Sequence, residues 1–330
     1  MLRYFQIADG SLHRAAAPTP GSFPGEVAWI DVIDPTQAEE AQLERLLGVN
    51  VPSREDASEI QTSSRLIARN GTLYMSAIVA YGREMEPLRT LPVIFVRTGE
   101  WLITVRYGEP DAVDRFVERA GNREWKLSDA DSILAALLEV IVDRIADRLE
   151  FIGSDLKKIE RAIFRRGTSG PDRHRGPNVT RRIRVLQEVL ERIGIHHMTS
   201  FGLRECLHSL ERLLAFRRSH GRDHPPTTQF HLIEDDLRAI ADYDHDLNNS
   251  MDFMVNATVG LIDVQQNKVI YILSIMSMVL TPPVVIASIY GMNFDLMPEL
   301  HWRWGYAYAL LLMLASAFVP WLLFKLKRWL

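Results

Sequence analysis

The chain has 330 residues, 38 basic and 42 acidic, with a formal charge of −4 and one cysteine, Cys206. That composition excludes a disordered or collagen-like chain, and a single thiol excludes an intrachain disulfide framework or a multi-cysteine zinc site. The average hides a split, because residues 1–268 carry net −6 and residues 269–330 hold only six charged side chains with net +2; an acidic body before an apolar tail is no ordinary soluble enzyme, and it lacks the basic face that nucleic acid requires.

The N-terminus, MLRYFQIADGSLHR, has no apolar core of signal-peptide length. The body is therefore expected to stay in the cytoplasm, anchored by its C-terminus. Residues 1–127 read as an α/β domain. Val27–Val32 is an apolar run, followed by Asp34-Pro35, which predicts a helix with Asp as N-cap and Pro in its first turn. Ser64–Ala68, Leu73–Tyr81, Leu91–Arg97 and Trp101–Tyr107 read as strands, the last two joined by a tight turn at Thr98-Gly99.

From Ser128 the pattern becomes helical, and residues 128–226 are read as a cytoplasmic helical region. Ser128 to Asp131 resembles a capping box, and a helix runs on to about Arg166. The Gly/Pro-rich stretch 167–178 is a loop, and a second helix covers about Val179–Ser219. Cys206 is expected to be an apolar-face filler, and His196 and His197 are expected on the surface. Residues 227–268 continue as a stalk helix. No Walker loop, GxGxxG, HExxH or catalytic-triad signature occurs, so no enzyme activity is expected.

Val269–Phe294 is a run of 26 uncharged residues and Trp304–Phe324 a run of 21. About 20 apolar residues cross the hydrocarbon as a helix. The first span is placed at 269–292, an outward loop at 293–304, the second span at 305–324 and a basic tail at 325–330. Three bases and no acid in that tail put it in the cytoplasm by the positive-inside rule. Both termini then lie on the cytoplasmic side of a lipid bilayer.

The first span carries a polar seam. With Asn267 as heptad position a, positions a are Asn267, Ser274, Thr281 and Ser288, and positions d are Ile270, Ser277, Val284 and Gly291. All four hydroxyl residues of 269–289 fall on this edge. Such an edge either joins helices by hydrogen bonds or lines a wet path. Extended backwards, position d becomes Asp263, Asn256, Asn249, Asp242 and Asp235, an oxygen-bearing row better suited to a wet path than to a tight coiled coil. No Lys, Arg, Asp, Glu, His or Cys lies between Val269 and Phe294, which disfavours proton coupling and soft-metal ligation. Amide, hydroxyl and backbone oxygens suit a hard cation that keeps its water, such as Mg²⁺.

Tyr290-Gly-Met-Asn-Phe294, followed by Met297-Pro-Glu-Leu300, resembles the signature of the CorA family of magnesium, cobalt and nickel transporters. The resemblance is specific over about residues 250–330 and architectural before that. It implies a funnel-shaped homopentamer in a bacterial inner membrane, with an α/β cytoplasmic domain, a long stalk helix and two transmembrane helices. It makes Gly291, Met292 and Asn293 the selectivity filter for hydrated Mg²⁺, with Asp295 and Glu299 at the pore entrance. Asn267, Ile270, Leu273, Ser274, Ser277, Thr281 and Ser288 become pore-lining. Cytosolic Mg²⁺ bound at stalk acids would gate the pore, with Asp235, Asp236, Asp242 and Asp246 as candidate ligands among a wider crowd that includes Glu234, Asp244 and Asp252. A zinc or cobalt carrier of the same superfamily, or a tethered signalling or scaffold protein, are the alternatives.

Overall fold

The computed structural model describes residues 1–17, 27–52, 66–82, 86–99, 101–122, 124–164, 179–220, 228–292 and 302–326. By contacts, the chain divides into two compact units, 1–166 with 189–255, and 167–188 with 256–330.

The first unit opens on a sheet formed by β1 (Leu2–Ala8), β2 (Ser11–Ala15), β3 (Val27–Ile33), β4 (Leu66–Arg69), β5 (Thr72–Tyr81), β6 (Arg89–Thr98) and β7 (Trp101–Arg106). Their spatial order is β2-β1-β3-β7-β6-β5-β4. Only β3 and β7 run parallel. Two hairpins turn on Asp9-Gly10 and Asn70-Gly71, where all four residues have positive φ; Asx-Gly pairs fit such turns because both central residues must adopt the left-handed region.

Helix α1 (Gln37–Leu47) lies on one face, inserting Leu43 into a core with Ile30, Val32, Ile94, Val96, Ile103 and Val105. The expected cap is displaced. Asp34 itself has φ of 40°, and Thr36 is the N-cap, in a capping box with Glu39. The Thr36 backbone N–H, donated to the Glu39 carboxylate at 2.9 Å, is the main reason that carboxyl sits below its usual range. Thr36→Ala removes half of the box and is expected to cost about 1 kcal/mol, seen as a small fall in the thermal midpoint.

On the other face, Phe5 stacks on Trp29 and Trp29 meets Phe116 edge-on. Phe116 belongs to α2 (Asp111–Gly121), a helix with a strongly one-sided apolar face that the sequence reading passed over, as it did β1 and β2. Helix α3 (Ala130–Phe164) begins one residue later than its expected box: Asp129 Oδ1 accepts from the Ser132 N–H at 2.7 Å, and Ser132 Oγ accepts from the Asp129 N–H at 3.0 Å. Its first turns are buried on all sides, from Ile133 through Leu138.

Helices α4 (Val179–His220) and α5 (Thr228–Tyr290) follow. Polar ties join them to α3 and the sheet. Asp131 of α3 receives Arg97 of β6 and Arg217 of α4 at 3.1 and 2.9 Å. Burial alone would raise that carboxyl, but the two guanidiniums outweigh it and hold it below the usual carboxylate range. Asp155 of α3 likewise faces Arg192 at 2.7 Å and His196 at 2.8 Å. His196 is therefore buried and structural, contrary to expectation, while His197 is exposed. The expectation failed because its partner lies on another helix. Cys206 is buried as expected.

Candidate ion-conduction seam

Helix α5 runs unbroken for 63 residues through Pro282 and Pro283, about 95 Å at 1.5 Å per residue. Helix α6 (Gly305–Leu326) has 22 residues, and both helices are long and apolar enough to cross a membrane. Neither is buried over its apolar stretch. This separates them from core helices such as α3, whose apolar residues are covered.

The coverage of α5 is one-sided. In 228–258 its buried row is Phe230, Ile233, Leu237, Asp244, Leu247, Met251, Met254 and Thr258. In the span the half-buried row is Ile275, Val279, Pro282, Pro283, Ile286 and Tyr290. At about 100° per residue that row lies roughly 150° around the helix from Ser274, Ser277, Thr281 and Ser288. All of the seam residues, Asn267, Ile270, Leu273, Ser274, Ser277, Thr281 and Ser288, are exposed. Asp235, Asp242, Asn249, Asn256 and Asp263 are exposed too. The chain thus buries one side of α5 in 228–258, half-covers one side of it in 275–290, and leaves the oxygen-bearing edge exposed.

Helix α6 shows the complementary pattern. Gly305 and Ala309 are buried, and Leu312, Met313, Ser316, Ala317, Pro320 and Phe324 half-buried, at three- and four-residue intervals. Small residues on one stripe let membrane helices approach closely.

Within the seam, Ser274 Oγ donates to the Ile270 carbonyl at 2.8 Å and Ser288 Oγ to the Val284 carbonyl at 2.9 Å. The helix ends at Tyr290. Gly291 N–H still reaches the Ala287 carbonyl at 2.9 Å, and Met292 N–H turns to Ile289 at 3.2 Å. A Cβ on Gly291 would lie 3.2 Å from the Ala287 oxygen, so glycine suits this tightened end. Gly291 and Met292 are exposed. Asn293, Asp295 and Glu299 lie outside the described residues.

Among the described residues no three His, Cys, Asp or Glu side chains gather as a metal site. The stalk acids Asp235, Asp236, Asp242 and Asp246 are all exposed, and Asp235 meets Arg238 at 3.0 Å. Two neighbouring acids have other work. Asp244 is buried and accepts from Ser200 and from Arg204, the latter at 2.8 Å, and Glu234 accepts from Arg218 at 3.0 Å. Sequence alone could not separate these from the exposed acids, since their partners come from α4.

An α/β body is followed by one long helix and a second apolar helix, both long and apolar enough to cross a membrane, the first with an exposed polar edge. The family model described as CorA-like Mg²⁺ transporter protein matches residues 24–328, and the chain belongs to that family. Relatives named magnesium transport protein CorA, from Sodalis glossinidius (strain morsitans) and Salmonella typhimurium, are each 29% identical over 100% of both chains. The fold matches the complete structure of the CorA magnesium transporter from Methanocaldococcus jannaschii, with a TM-score of 0.67 at 19% identity, covering 98% of this chain and 97% of that one. It also matches the full-length CmaX protein, with a TM-score of 0.61 at 17% identity and coverage of 100% and 98%.

Proposed function

We propose that five copies of this chain form a passive Mg²⁺ channel in a bacterial inner membrane, with the α5 seams turned inward and both termini in the cytoplasm. One observation carries this reading: the oxygen-bearing edge of α5 is exposed on the single chain, opposite the side that packs. Exposed to lipid, that edge would waste hydrogen-bonding capacity; turned toward its copies, it surrounds water. The names of the relatives supply the ion.

In this reading Asn293 places one amide oxygen per copy at the outer mouth, carried by the helix end at Gly291 and Met292. It accepts hydrogen bonds from the water shell of the ion and need not replace that shell. Asp295 and Glu299 raise the local cation concentration. Thr281, Ser277 and Ser274 hand the hydrated ion along, and Ile270, Leu273 and Asn267 form the narrow inner end. Co²⁺ and Ni²⁺, similarly hydrated, follow the same route. The membrane potential contributes about 4.6 kcal/mol per 100 mV for a charge of +2 moving inward.

The test is ion entry into proteoliposomes holding the purified chain, with Mg²⁺ and Zn²⁺ compared under an inside-negative potential. Mg²⁺ entry is expected; entry of Zn²⁺ alone would turn the reading to a zinc carrier, and no entry of either would leave a tether. Cytosolic Mg²⁺ closes the channel by bridging stalk acids of neighbouring copies. The double variant Asp235→Asn, Asp242→Asn is expected to raise the closing concentration several-fold, read from flux at graded internal Mg²⁺. Unmoved closure would remove these acids as the sensor.

A further inference from the structure

Residues 157–184 carry ten bases and two acids, inside a body of net −6 through residue 268. Three of those bases, Arg181, Arg182 and Arg184, lie in the first two turns of α4, where the first turn holds no acid. The positive end of a helix dipole favours acids there, so this placement works against the helix unless an external anion is near. Arg181 and Arg184 are exposed and make no ion pair among the described residues.

The register of α4 against α5 locates them. Arg218 meets Glu234, Arg204 meets Asp244, and Ser200 meets both Asp244 and Asn248. The helices run antiparallel, so each step back along α4 meets a step forward along α5. Continued at equal rise, the Arg204–Asp244 and Ser200–Asn248 register brings Arg184 to Arg181 level with Val264 to Asn267. Both stretches belong to the same compact unit, 167–188 with 256–330. Val269 is the first residue of the uncharged run, and the head-group layer beyond the hydrocarbon is about 5–7 Å deep, some four residues of helix. The arginines therefore stand at head-group depth.

We infer that Arg181 and Arg184 bind the phosphates of anionic phospholipids in the cytoplasmic leaflet, holding the start of α4 against the membrane beside the foot of the span. Guanidinium matches phosphate with paired hydrogen bonds, and Lys268 of α5 and Lys325 of α6 add charge at the same border. The inference rests on the spans crossing the bilayer in the stated sense, and not on the pore, so its readout is not ion flux.

The test uses the full chain with Val185→Cys, an exposed position, labelled with a small fluorophore and placed in nanodiscs with head-group-quencher lipid. Cys206 stays unlabelled, because it is buried and its thiol is pushed up to about 12. Quenching is expected to rise when phosphatidylglycerol replaces phosphatidylcholine and to fall in high salt. The double variant Arg181→Gln, Arg184→Gln should lose most of that rise, since each base near an anionic surface is worth about fivefold in binding. The double variant to Lys should keep most of it, which also shows that the fold tolerates change there. Quenching that ignores phosphatidylglycerol, or a rise that persists in the Gln variant, would overturn the inference.

Discussion

Mg²⁺ influx through reconstituted Asn293→Ala is expected to fall by roughly a thousandfold, with assembly unchanged. The half-buried faces of α5 and α6 are built from Ile275, Val279, Ile286 and the small stripe of α6. In the proposed channel the Asn293 amide acts on the ion. A hydrogen bond to a strongly polarised water is worth about 1 kcal/mol net in an exposed setting, and in the proposed pentamer five of them together give roughly 5 kcal/mol. Tracer or fluorescent-dye entry into liposomes measures the loss, and size-exclusion profiles check the assembly. Influx within tenfold of the parent would mean that the ion is recognised elsewhere, and the whole assignment of the outer mouth would fall. A conservative Asn293→Asp should keep cation entry while weakening the choice among divalent ions, because a charge attracts any of them without reading the water shell.

The largest effect on stability is expected at the centre of the sheet. Asp31 and Arg106 are both 0% exposed and 2.8 Å apart. Asp31 also accepts from Thr104 at 2.8 Å, whose hydroxyl oxygen accepts from the Trp29 ring N–H at 3.1 Å, and Arg106 donates to the Gly108 carbonyl at 2.9 Å. The pair is built across the one parallel contact in the sheet, where β3 meets β7. Asp31→Ala strands a guanidinium in a dry interior and is expected to cost about 3–5 kcal/mol, lowering the thermal midpoint by roughly 10 °C. Replacing both residues with apolar ones of similar volume should recover most of the loss. If the single change is neutral in a thermal scan, water reaches this part of the sheet.

These two sites mark what sequence could and could not disclose. Two long uncharged runs need no partner to be recognised, and neither does a row of hydroxyls at seven-residue spacing, because both are properties of a single helix. The ends of α4 and α5 fell within a residue or two of expectation for the same reason: Gly and Pro punctuate them locally. The Asp31–Arg106 pair spans 75 positions and exists only through strand pairing. His196 looked like a surface residue until α3 brought Asp155 to it. The first hairpin was missed although Asp9-Gly10 marks its turn, since β1 and β2 alternate poorly between buried and exposed residues. The cap of α1 is expected at Asp34 because Asp-Pro is a common helix start, an expectation that passes over the Thr36-x-x-Glu39 capping box two residues on, which local chemistry does disclose.

Two serines of α5 spend their only proton on the helix behind them, Ser274 on Ile270 and Ser288 on Val284. What remains at those two sites is lone pairs. In the proposed pore these two positions offer acceptors without donors. Water gathered around a cation turns its hydrogens outward and finds a match there, whereas a halide, or water gathered around one, presents electron density to electron density. In the proposed channel, discrimination by sign of charge thus begins in neutral hydroxyl groups, with no carboxylate inside the bilayer.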